Sequence, residues 1–222
     1  MDDEASINDV WLRSDEEEDA PTSPNYYFNY DTSVNSFSNV WQFDVQTPIS
    51  YYLDIVADMK QRQWIVKGHL LRGYVSCTFA PGGVGKSMFN LAQGISIASG
   101  RDILGLGVYE QCDVLIFNNE DDIEELQRRI AGILIAYNID PSEITDRLYY
   151  CSGYGSPLMV AQKLDDRTIM ATPDATWLKE FIREMSIGAL YIDPFISTHD
   201  LGENDNADID KVVGIFKNIA HE

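Results

Sequence analysis

The spacing of hydrophobic residues changes several times between Tyr74 and Ile219. Tyr74–Ala80 (YVSCTFA), Asp113–Asn119 (DVLIFNN), Arg147–Gly153 (RLYYCSG) and Gly188–Asp193 (GALYID) are short, mostly apolar runs bounded by small or polar residues. Such runs predict buried strands. The segments between them have a helical period. Lys86–Ser99 predicts a helix closed by Gly100 as its C-terminal cap. Asp121–Ile139 places Ile123, Leu126, Ile130, Ile133 and Leu134 on one face and acids in its first turn. Thr176–Met185 and Ala207–Ile219 predict two more helices. Strands alternating with helices predict an α/β fold with a mainly parallel sheet.

The first third of the chain reads differently. Residues 1–38 begin with acidic blocks and continue in Pro, Ser, Asn and Tyr without a helical or alternating period, which predicts a disordered tail. The cluster Tyr26, Tyr27, Phe28 and Tyr30 leaves open a short partner-binding segment. Residues 39–63 form a lead-in, with Ile49, Leu53, Ile55 and Val56 spaced for one helical face between Trp41 and Lys60.

Charge sharpens this division. The net charge is −20, of which −11 falls in residues 1–60 and −9 in the remainder. A chain this acidic has no broad attraction for nucleic acid, so any DNA contact needs a local basic patch or a ring of subunits. No apolar run is long enough to span a membrane, and Met1-Asp2-Asp3-Glu4 is the opposite of a basic leader. The cysteines, Cys77, Cys112 and Cys151, lack CxxC spacing and predict buried, reduced thiols in a cytoplasmic protein. The three histidines are scattered and suggest no metal cluster.

The densest chemistry lies at Ala80–Ser87, APGGVGKS, between a predicted strand and a predicted helix. Glycines allow a loop to wrap an anion with its N–H groups, and the helix N-terminus adds further donors and its dipole. This is the Walker A pattern, with Ala80 in the place of the usual first glycine. Ala80, Pro81, Gly82, Gly83, Val84, Gly85, Lys86, Ser87 and Met88 are the expected ATP-binding residues. Lys86 reaches the β- and γ-phosphates and the Ser87 hydroxyl ligates Mg²⁺. Asp193, closing the strand ALYID, is the second expected Mg²⁺ residue, held through water; the bland alternative is a strand-end turn cap. Glu120, after LIFNN, is expected to polarise the attacking water. Asn119 and Asp121 read as orienting or capping residues. Arg128 and Arg129 read either as salt-bridge partners of Glu124 and Glu125 or, for Arg129, as a nucleotide or interface residue.

From Trp64 onward, WIVKGHLLRGYVSCTFAPGGVGKS, then DVLIFNNEDDIEELQRRI, then LYIDPFISTHDLGENDNADIDKVV, the chain resembles the RepA-like branch of the RecA-type P-loop ATPases. This group includes hexameric plasmid replicative helicases. The resemblance implies a RecA-like ATPase domain at 64–222, a three-layer sandwich that binds and hydrolyses Mg·ATP in DNA replication or a related transaction. It implies Glu120 as the water-activating carboxylate, Asp193 as the Walker B acid and Arg129 near the adenosine or a subunit boundary. It also implies a homo-oligomer, hexameric in the family, and single-stranded DNA as a partner. The family continues beyond the position matching Glu222 into another core strand between the Walker A and Walker B strands, so the C-terminal strands are expected to be missing from this chain. The competing functions are an ATP-binding switch whose tail recruits a partner, and an inactive remnant. A small-molecule kinase fits less well, because no arginine-rich lid follows the phosphate loop.

Overall fold

The computed structural model describes residues 59–165, 168–202 and 205–221. The tail expected at 1–38 and nearly all of the lead-in helix expected at Trp41–Lys60 lie outside these residues. Met59 and Lys60, at the end of that lead-in, are in no helix.

Two short strands, Trp64–Val66 (β1) and Leu70–Leu71 (β2), open the described chain as an antiparallel ribbon. The core is built on the strand Val114–Asn118 (β3), in which every residue is buried. It pairs in parallel with Leu148–Ser152 (β4) on one side and, on the other, with Ala189–Asp193 (β7). Between β4 and β7 in the chain, Ala161–Lys163 (β5) and Ile169–Ala171 (β6) form a second antiparallel ribbon. The order β4–β3–β7 makes the apolar run of β3 central, and a strand covered on both faces needs apolar side chains in both directions. Val114 and Ile116 enter one core cluster with Leu91, Ile95, Ile130 and Ile133, whereas Leu115 and Phe117 enter another with Leu178, Val212, Phe216 and Ile219. The first layer is made by helices Lys86–Ser99 (α1) and Ile123–Tyr137 (α2), the second by Pro173–Glu184 (α3) and Asn206–Ala220 (α4). The result is an α/β/α sandwich around a parallel sheet.

Local chemistry sets the helix ends. Gly100 closes α1 in the left-handed conformation, φ 71°, and bonds back to the Ile97 carbonyl. Asp122 caps α2 by accepting the Glu125 N–H, and Thr172 caps α3. Asp205, in the Asp/Asn-rich loop, accepts from Ala207 and Asp208 at the start of α4. No helix among the described residues is long and apolar enough to cross a membrane.

The strand expected at Tyr74–Ala80 is not formed. The segment makes no sheet ladder and is exposed throughout, with Phe79 at 88%. Its composition suits a strand, but among the described residues no strand lies alongside to accept and donate its backbone hydrogen bonds. The expected burial of Cys77 fails with it: Cys77 is exposed, Cys112 buried and Cys151 partly buried.

Candidate nucleotide site

The phosphate loop is built by glycines and a helix end. Gly83 and Gly85 take φ 77° and 93°, left-handed values that a side chain would strain. Gly85 is the N-cap of α1, and no side chain caps the helix. The Phe89 N–H is the first to bond back, to the Gly85 carbonyl at 2.9 Å, so the N–H groups of Lys86, Ser87 and Met88 have no partner within the helix. Such an end, with its dipole, suits an anion. The Lys86 ammonium donates to the carbonyls of Ala80 (2.7 Å) and Pro81 (3.0 Å), which holds it across its own loop. Beside it lies a groove of about 350 Å³ lined by His69, Thr78, Val84, Lys86 and Phe89.

The packing of α1 decides which edge of the sheet this loop faces. At its C-terminal end the Ala98 carbonyl accepts from the Gln111 amide, just before β3 begins. In its middle, the Tyr191 hydroxyl donates to Gln93 Oε1 at 2.8 Å, and burial pushes that hydroxyl well above the usual phenol range. A Cβ on Gly94 would come within 2.9 Å of Ile116, so glycine lets the helix lie close on β3. α1 therefore runs against the strand direction. Its N-terminus and the phosphate loop face the C-terminal edge of the sheet, where ligands gather in open parallel folds.

That edge carries the expected carboxylates. Asn118 on β3 is in register with Asp193 on β7 and Ser152 on β4, and the Asn119 N–H bonds to the Asp193 carbonyl at 2.8 Å. Asp193 is 8% exposed, and its Oδ2 has no hydrogen-bond partner. A buried carboxylate oxygen without a donor is costly and suits a cation or its water. Glu120 is exposed two residues beyond the end of β3. No group of three or more His, Cys, Asp or Glu among the described residues forms a metal cluster.

A family model described as an AAA domain matches residues 52–222. The chain belongs to this family. No curated protein matches it. The AAA domain places the chain among the P-loop ATPases.

Within this AAA domain, Ala80 to Met88 are contiguous around the start of α1, and Glu120 and Asp193 share the sheet edge that α1 faces. Arg129 pairs with Asp121 and Glu125, and Arg128 with Glu124 and Glu125. Asn118 joins these residues only in the structure. It is 2% exposed and its Oδ1 accepts the N–H groups of both Glu120 and Asp121. A polar residue ending an otherwise apolar central strand was the available signal.

Proposed function

We propose that this AAA domain binds Mg·ATP at Ala80–Met88 and hydrolyses it, as a RecA-type motor subunit of the RepA-like kind acting in DNA replication or a related DNA transaction. The observation that carries the reading is the buried, partnerless Asp193 Oδ2 on the sheet edge faced by the uncapped start of α1. The loop N–H groups and Lys86 hold the β- and γ-phosphates. Ser87 and Asp193 hold Mg²⁺, which when bound neutralises phosphate charge. Glu120 orients the attacking water. The order of motifs supports the RepA-like assignment. The division into a tail (1–38), a lead-in (39–63) and an ATPase domain (64–222) belongs to the same proposal. So does assembly into a ring, since the acidity of the chain leaves single-stranded DNA to a composite or local basic surface.

The acidic tail favours a second reading, a nucleotide-dependent switch that recruits a partner. Steady-state ATP turnover with and without single-stranded DNA separates the two. DNA-stimulated turnover that is lost in Glu120→Gln with ATP binding retained is the expected result. ATP binding without turnover, together with tail-dependent association, would replace the motor by the switch.

A further inference from the structure

Asp121 and Arg129 form the best-connected polar cluster near the candidate site. Arg129 grips Asp121 with two parallel bonds, Nη1 to Oδ2 at 2.6 Å and Nη2 to Oδ1 at 3.0 Å, and its Nε donates to Glu125 at 2.9 Å. The side chains of Arg129 and Asp121 are only 27% and 19% exposed. A bidentate pair of this kind fixes direction as well as distance. Asp121 passes the constraint on, since its Oδ2 also accepts the Asn118 side-chain amide at 3.1 Å. That bond sets which end of the Asn118 amide faces the chain, leaving Oδ1 to accept the N–H groups of Glu120 (2.8 Å) and Asp121 (2.7 Å). From the other side, the Ser152 hydroxyl donates to the Asp121 carbonyl at 2.7 Å. The backbone carrying Glu120 is thus held between a buried asparagine and a strand-end serine.

We propose that Arg129 is a positioning residue: through Asp121 and Asn118 it fixes the turn from which Glu120 presents its carboxylate. It does so without touching nucleotide. The inference rests on the reading of Glu120 as the water-orienting group, because only then does a fixed turn matter for turnover. A lysine could not replace Arg129, since a point charge cannot make the two parallel bonds that orient Asp121. Arg128, one residue earlier, is 63% exposed and pairs only along its own helix, so it lies outside the relay.

The test compares Arg129→Gln, Arg129→Lys and Asn118→Ala with Arg128→Gln in the full chain. Two readouts are used: site-resolved amide exchange on the protein alone, and ATP turnover beside ATP affinity. In both Arg129 variants the Glu120 and Asp121 amides should exchange at least about tenfold faster, while those of Ile116 and Phe117 stay protected. Turnover should fall roughly tenfold to a hundredfold, the scale of a misplaced catalytic group, with ATP affinity unchanged within about twofold. Arg128→Gln should match the parent chain in both readouts. Unchanged exchange at Glu120 and Asp121 in Arg129→Gln overturns the relay, and this arm needs neither turnover nor the more deeply buried Asn118 variant. A loss of ATP affinity at constant turnover overturns it in favour of a nucleotide contact. Full turnover in Glu120→Gln, with accelerated exchange still seen in Arg129→Gln, removes the catalytic half and shows that the reading of Glu120 has failed rather than the relay.

Discussion

β3 and the segment Tyr74–Ala80 lead into the two halves of the candidate site, and they are held very differently. β3 is bonded on both edges and buried on both faces, and the turn beyond it is locked by Asn118. Tyr74–Ala80 has no ladder, and the glycine loop that follows is held by the Lys86 contacts to its carbonyls and by the start of α1. Both runs have the composition of a strand. The difference teaches that apolar composition offers a strand, while neighbouring backbone decides it. The carboxylate half of the candidate site is therefore held by a two-sided ladder and side-chain bonds, and the phosphate half by far fewer.

The largest expected effects separate the two runs by stability. Leu115 is fully buried, so Leu115→Ala should cost about 2–5 kcal/mol. Phe79→Ala, at an exposed site, should stay within about 0.5 kcal/mol. Urea unfolding midpoints compare the two, and equal losses would break the contrast.

Glycines supply a second comparison. A Cβ on Gly153 would collide with the Asn119 side chain, whose Oδ1 accepts the Leu158 N–H. Gly153→Ala should cost roughly 1–3 kcal/mol by overpacking. A Cβ on Gly82 would meet nothing within 4 Å, so Gly82→Ala should leave the melting temperature nearly unchanged. Similar melting losses in both variants would place the loop in as tight a setting as the β3 edge.

The smallest effects concern thiols. Burial pushes the Cys112 thiol up to about 11 from a reference of 9.0, while Cys77 is exposed. At pH 8 a maleimide should label Cys77 quickly and Cys112 hardly at all in the folded chain. Because the folded value is raised, the contribution of Cys112 to stability is present below about pH 9 and is lost as pH rises towards 11. Equal labelling rates at pH 8 would mean that the two environments do not differ.

Much of the fold was legible in the sequence because its signals are local. The Gly100 cap ended α1 where expected, and the apolar runs at Val114–Asn118, Leu148–Ser152 and Ala189–Asp193 became strands. The ribbons β1–β2 and β5–β6 were not foreseen, since two or three residues carry too little periodicity. Tyr74–Ala80 departs from the strand its composition predicts because a ladder is a non-local property. The loop residues and the strand-end acids stood out by residue type and spacing. Asn118 is marked only as the polar residue that ends an apolar strand; its bonds to the Glu120 and Asp121 N–H groups are not readable from the sequence.

The central claim is that α1 and its glycine loop form a phosphate site completed by Lys86. Calorimetric titration of Mg·ATP into the parent chain and Lys86→Ala tests it most directly. Removing one charged donor from the phosphates should weaken binding by at least about tenfold. Equal affinity in the two proteins would contradict the assignment of the loop.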